Sequence, residues 1–410
     1  MRGARRPRVY LHVGEPKTGT TFLQRALWYN RARLAAQGVL LPGYERRDHN
    51  RASRDLREAP RAASDPADPW TGEWDVLVGQ ALLAPQAAVI SDEVLAACNP
   101  GQADRAVRSL LSAEVHIVLT VRDFASLLPA EWQETVKCRQ TAGWEEWLSG
   151  VIDIQPAAAN PRLWPFWMLH DTLATLDMWS RHLPPDQVHV ITVPQQGPAD
   201  TLWVRFASVL GIDHGRVDLS QAHANSSLGI ADAEFLRRMN EALPEEVPDW
   251  FYTRNIKRVL AHDVLAARPR QARLAVPPHR EAWVRQQSEI VVAGLRDSKF
   301  HIVGDLGELL PGPVTGPYLG PADQPSGQLL DAAVAAAAAL ANQLYRDKRR
   351  AARTRTRPGS PRQMASRLEW TVLNGSWTRR VLRRASHVPA VRRLRILIWR
   401  VLMHPARYGR

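Results

Sequence analysis

The stretch "GEPKTGTT", residues 14–21, decides the reading of this chain. It follows "RVYLHVG" (8–14), whose β-branched and aromatic residues suit a short buried strand. It leads into "TTFLQRALWYNRARLAAQG" (20–38), where Phe22, Leu23, Leu27 and Leu34 fall close to helical spacing and Gly38 is a helix stop. A glycine-rich turn between strand and helix makes an anion cradle, because backbone N–H groups and the positive end of the helix converge there. Gly14 and Gly19 have the spacing of the triphosphate loop G-x-x-x-x-G-K-[ST]. Thr20 stands where that pattern has lysine, Thr21 fills the hydroxyl position, and Lys17 lies inside the loop. For a magnesium triphosphate the displaced lysine is a defect. For a shorter phosphate chain without metal, Lys17 is placed to reach a bridging oxygen and stabilise charge on a leaving phosphate. Thr18, Thr20 and Thr21 add hydroxyl donors.

Outward from the loop, "AAVI" (87–90), "EVHIVLTV" (114–121) and "VHVITVP" (188–194) read as further strands. Helical segments follow them at 102–112, 122–140 and 169–183, with Pro129 bending the second or setting its first turn. This alternation predicts an α/β fold: a P-loop-type parallel sheet flanked by helices, with a helical basic C-terminal extension. The polar segment 43–75 reads as a long loop. Helices are expected at 201–212, 231–243, 280–296 and 329–355, and "HANSSLG" (223–229) as a helix-capping turn. Pro and Gly crowd 309–327. The expected division is a P-loop domain over 1–315, a Pro/Gly boundary with an Ala-rich helix over 316–345, and an Arg-rich tail over 346–410.

The net charge of +13 comes from one end. Residues 346–410 hold 19 Lys+Arg against two acids, a balance of +17, which leaves the rest of the chain at −4. A basic tail on a mildly acidic body points to a polyanion or an anionic membrane for the tail alone. Two cysteines, Cys98 and Cys138, argue against a disulfide framework and suit a reducing compartment. No signal peptide and no membrane-spanning run are read, so a cytoplasmic place is expected, peripheral on the inner membrane face if the tail binds lipid.

"PKTGTT" (16–21) resembles the 5′-phosphosulfate loop of sulfotransferases that use 3′-phosphoadenosine-5′-phosphosulfate (PAPS), where the pattern is Pro-Lys-[Ser/Thr]-Gly-[Thr/Ser]-[Thr/Ser]. The likeness covers about residues 1–300 in element order. It implies PAPS as co-substrate without a metal, held by Lys17, Thr18, Gly19, Thr20 and Thr21. Family members also bind the 3′-phosphate with an arginine at a later strand end and a serine two helical turns on. Arg122, closing "HIVLTVR" (116–122), matches the arginine, and a guanidinium fork suits a terminal phosphate. The serine position is Ala130 here, and Ser126, one turn after Arg122, stands as the substitute.

Sulfuryl transfer to a hydroxyl or amine needs a base near the acceptor. "VISDEVLAAC" (89–98) puts Ser91, Asp92 and Glu93 at a strand end between the two phosphate motifs, and Glu93 is the favoured base, with Asp92 next. The same residues read equally well as a capped helix start. His12 reads as packing beside the loop. His170 reads as helix surface, with a place on the acceptor cleft as the alternative. The chain has 15 tryptophans, and Trp70, Trp74, Trp144, Trp147, Trp164 and Trp167 flank expected loops, which makes a glycan or glycolipid acceptor attractive against ordinary core packing. In the tail, Val391, Leu394, Ile398, Val401 and Leu402 form one apolar stripe with Arg392, Arg393 and Arg400 elsewhere, the pattern of a helix lying on an anionic membrane; a packed terminal helix is the alternative. Nucleic acid is not expected as a partner. Two other readings stay open: a P-loop phosphotransferase of kinase type, and a non-catalytic membrane-docking protein with a relic loop.

Overall fold

The computed structural model describes residues 6–59, 70–153, 164–222, 227–269, 273–312, 318–355, 386 and 388–402. A sheet of six parallel strands runs in the order β2-β3-β1-β4-β5-β6. The strands are β1 (Arg8–Gly14), β2 (Val39–Leu40), β3 (Ala87–Ser91), β4 (Glu114–Val121), β5 (Val188–Thr192) and β6 (His301–Val303). Alternate residues of β1 enter separate cores: Val9, Leu11 and Val13 pack with Ile90, Ile117 and Leu119, whereas Tyr10 packs with Val89, Val118 and Ile191. Both faces are therefore covered by helices, which is why the inner strands read as nearly continuous apolar runs.

This strand order positions the site. β1 lies between β3 and β4, so the chain leaves β1 at the point where successive connections diverge to opposite sides. In open parallel sheets the ligand crevice forms there, outside the carboxyl ends of the strands. The loop after β1, the Asp92–Glu93 pair after β3 and Arg122 after β4 share that edge.

The expected α/β fold is present, with several local departures. Residues 43–75 are not one loop: they include the helix Arg46–Leu56 and the start of the helix Glu73–Ala81. The first escapes a hydrophobic-period reading because it buries Asp48, His49 and Ser53 alongside only Ala52 and Leu56. Pro129 lies inside the helix Phe124–Lys137, past its first turn, and the helix continues through it. The segment 169–183 contains the end of one helix, Trp164–His170, and a second, Thr172–Ser180; Asp171 between them accepts from Ala174 N. Strands β2 and β6 are too short for period to reveal. Of the turn at 223–229, only 227–229 is described, and Gly229 is the N-cap of the helix Ile230–Ala242.

The Ala-rich helix spans Ser326–Arg355 and packs on Ile230–Ala242 and on Tyr252–Val264, a helix wound with the wider π turn. Its contact positions include Ala332 and Ala336, small enough for close approach. The last described helix, Pro389–Leu402, docks on Glu73–Ala81. Its buried face is not the apolar stripe. Arg395 forks onto both carboxylate oxygens of buried Glu73, each at 2.8 Å, and Trp399 Nε1 donates to Gly43 O at 2.9 Å. Ile396 lies so close over Gly79 that a Cβ there would come within 2.3 Å of its Cδ1. Leu394 and Leu397 face outward, 46% and 56% exposed. A planar guanidinium meeting a buried carboxylate bidentately outweighs the apolar stripe in setting which face turns inward. Among the described residues no helix is long and apolar enough to cross a membrane.

Breaking a buried ion pair leaves an uncompensated charge, a cost of about 3–5 kcal/mol if nothing moves. Releasing the helix lets water reach Glu73 instead. Arg395→Ala is therefore expected to speed limited proteolysis within residues 346–402 several-fold while the body stays intact. An unchanged cleavage pattern would show that the fork does not hold the helix.

Candidate active site

The loop is shaped by its glycines and pinned to β4. Gly14 (φ 128°) and Gly19 (φ 86°) occupy backbone regions that L-residues rarely adopt. A Cβ on Gly14 would also come within 3.3 Å of Ala96 Cβ and Glu93 O, so the loop's first residue lies directly against the segment after β3. Thr18 is fully buried. Its hydroxyl lies in bonding reach of Glu15 O and Thr120 Oγ1, and Thr120 Oγ1 in reach of Gly14 O; with one proton each, the two hydroxyls make two of these three bonds at a time. Glu15 N donates to Thr120 O. The Thr18 hydroxyl is thus committed to the loop's own shape. Thr20 is buried and Thr21 half-buried in the first turn of the helix Thr20–Tyr29.

Arg122 stands two residues beyond Thr120, and its Nη1 donates to Lys17 O at 3.2 Å. Burial pulls its guanidinium below the ordinary value. The structure therefore brings together the two motifs that sequence placed apart. Ser126 is near but engaged: Asp123 caps the helix Phe124–Lys137 by accepting from Ser126 N at 2.8 Å and also pairs with the Ser126 side chain.

After β3, Glu93 Oε2 accepts from Gln24 Nε2 at 2.6 Å. Gln24 lies one turn beyond Thr20, so the carboxylate stands beside the start of the loop helix. Asp92 accepts from Val94 N at 2.9 Å and caps the short turn Glu93–Ala97. The capping role and the position at the strand end coexist. Burial, and then repulsion by Glu93, push the Asp92 carboxyl up to about 7.

Lys17 has a positive φ of 61°, and its Nζ lies 2.6 Å from Glu134 Oε2. Lys137 and Lys257 reach the same carboxylate at 2.7 and 2.9 Å. Burial alone would raise the Glu134 carboxyl, but the three lysines outweigh it and hold it below the usual carboxylate range. Sequence reading missed this cluster, since Glu134 and Lys257 are remote from the loop along the chain.

His170 was also misread. It is neither surface nor cleft but fully buried, with Nε2 3.5 Å from Glu131 Oε2 and Nδ1 3.8 Å from Glu15 Oε2. Glu15 Oε1 accepts from Thr172 Oγ1 at 2.6 Å, tying the loop to the helix Thr172–Ser180. Burial opposes the imidazolium, yet the two carboxylates raise His170 to about 9. His12 packs as expected. Its Nδ1 meets Ser91 Oγ at 2.8 Å, and burial lowers it to about 3. Trp74, Trp144 and Trp147 are core residues, and Trp167 Nε1 donates to Val151 O; the Trp164 side chain lies outside the described set. Trp70 sits beneath Arg54, whose guanidinium carbon is 5.6 Å from the ring centre. Beside the loop, a cavity of about 340 Å³ is lined by Phe22, Val193, Pro194, Pro198 and Leu202 at the carboxyl end of β5.

No family model matches the chain, and no curated protein does. Among solved structures, it is similar to the crystal structure of a sulfotransferase from Alicyclobacillus acidocaldarius, at 20% identity and a TM-score of 0.36, over 53% of this chain and 85% of that one. A likeness of that size bears on neither substrate nor mechanism.

The His170 shift has a definite sign. Its folded value of about 9 lies above the unfolded value, roughly 6.5, so its contribution is complete below pH 6.5 and is lost as pH rises through 9. Melting temperature is expected to fall over that window in the native chain, and His170→Gln to flatten the fall. A native profile that matches the variant's above pH 7 would contradict the buried ion cluster.

Proposed function

We propose that the chain transfers a sulfuryl group from PAPS to a hydroxyl or amine of a glycan, glycolipid or small-molecule acceptor. The observation that carries the reading is the meeting of Lys17 and Arg122. A loop with its lysine in mid-turn is held at its backbone by a strand-end arginine, so two separate phosphate motifs meet at one edge of the sheet. The donor set suits the nucleotide: loop N–H groups, Lys17, Thr20 and Thr21 for the 5′-phosphosulfate, and Arg122 for the 3′-phosphate. Thr18 and Ser126 support these positions through the backbone, since their hydroxyls are engaged within the protein. The cavity beside Phe22 and Leu202 offers the apolar walls a purine ring needs.

When bound, PAPS supplies a sulfuryl group activated by its anhydride link to phosphate. Glu93 takes the acceptor proton, held in place by Gln24. Asp92 behind it, with its carboxyl near neutrality, keeps negative charge from accumulating on both groups. Lys17 stabilises the charge that develops on the departing phosphate. Exposed Leu394 and Leu397, with Arg393 and Arg400 on the same helix, support peripheral contact with an anionic membrane, which would bring a lipid-linked acceptor to the enzyme.

Adenosine 3′,5′-bisphosphate is expected to raise the melting temperature, and ATP with magnesium is not. Stabilisation by ATP–magnesium alone would favour a phosphotransferase instead. Glu93→Gln is expected to lower kcat by about 10²–10⁴ with bisphosphate affinity unchanged. A variant as active as the native chain would remove Glu93 from the mechanism.

A further inference from the structure

Glu134 gathers more ammonium groups than one carboxylate balances, although the Glu131 carboxylate also acts on Lys17 and the Cys138 sulfur also accepts from Lys257. Lys17, Lys137 and Lys257 all lie within 2.9 Å of its oxygens, three ammonium groups on one carboxylate. A purely structural ion pair needs one lysine. The excess is not sealed away, because Lys17 and Lys257 are 24% and 28% exposed and Glu134 22%, so an outside anion has access. His262, on the same π-wound helix as Lys257, is lowered by burial and then by Lys137, against the pull of Glu134. Wide-turn helical segments are found disproportionately at functional sites.

We propose that Lys17, Lys137 and Lys257 form a binding subsite for a tetrahedral oxyanion, a sulfuryl or phosphoryl group, and that the Glu134 carboxylate occupies it as an internal stand-in when no ligand is present. The competition is electrostatic: the Lys17 ammonium keeps other N–H donors free in direction, but a carboxylate 2.6 Å away neutralises its charge and repels an entering anion, so the anion competes with Glu134 for that charge. Lys137 and Lys257 then hold Glu134 aside or contact the anion themselves. This deepens the donor reading above and rests on it for the identity of the nucleotide, but the subsite itself rests on the lysine cluster. The oxyanion belongs either to the donor or to an acceptor that already carries sulfate or phosphate.

Calorimetric titration with adenosine 3′,5′-bisphosphate and, separately, with inorganic sulfate tests this on the full chain. Glu134→Gln removes the competitor and is expected to tighten binding roughly fivefold, the scale of one partly exposed ion pair. Lys257→Met is expected to weaken it by a similar factor. Tightening for the bisphosphate supports a donor subsite, and tightening for sulfate alone supports an acceptor subsite. If the native chain binds no bisphosphate yet Glu134→Gln still tightens sulfate, the donor reading fails and the subsite stands. Unchanged affinity for both probes in a folded Glu134→Gln protein overturns the proposal. If that variant does not fold, unchanged affinity in Lys257→Met overturns it.

Discussion

The site depends on one constraint: the turn after β1 must be held open against β4. Thr18 and Thr120 do this together, their two hydroxyls sharing two protons among each other, Glu15 O and Gly14 O. Because β4 is the immediate parallel neighbour of β1, fixing Thr120 also fixes Arg122, two residues on, at the Lys17 carbonyl. Gly14 completes the arrangement on the other side by approaching Glu93 O. The ends of β1 and β4 are thereby joined by short polar contacts in a buried setting, where such bonds are costly to leave unmade, and the segment after β3 packs against them.

Charge is then distributed unevenly around the loop. Lys17, Lys137 and Lys257 gather on Glu134, and Arg122 reaches the Lys17 carbonyl from the end of β4. Asp92 and Glu93 follow β3, the other neighbour of β1, with Glu93 bonded to Gln24 of the loop helix. Beneath the loop, His170 between Glu15 and Glu131 stores a buried charge balance that links the loop to the helices Phe124–Lys137 and Thr172–Ser180.

The legible parts of this chain were those governed by local rules. The strand–loop–helix at 8–29 declares itself through glycine placement and apolar period, and the inner strands through β-branched runs. The helix Arg46–Leu56 was hidden because its buried face is polar, so period carried no signal. Glu134 meets Lys257 only through the tertiary fold, and His170 becomes an ion-pair centre only because Glu15 and Glu131 arrive from other segments. For the terminal helix, the apolar stripe was read for a membrane surface or for packing, and neither reading contains the buried carboxylate on a distant helix that holds Arg395 inward. In each case the missing information was a partner's chemistry, which no local pattern contains.

The central claim is that Lys17 in mid-loop serves a phosphosulfate donor. Incubating the native chain and Lys17→Ala with PAPS carrying a radiolabelled sulfuryl group and a cell extract as acceptor source tests it most directly. The account predicts labelled product with the native chain and a loss of about 10²–10³-fold in the variant. Transfer that survives Lys17→Ala unchanged would contradict it.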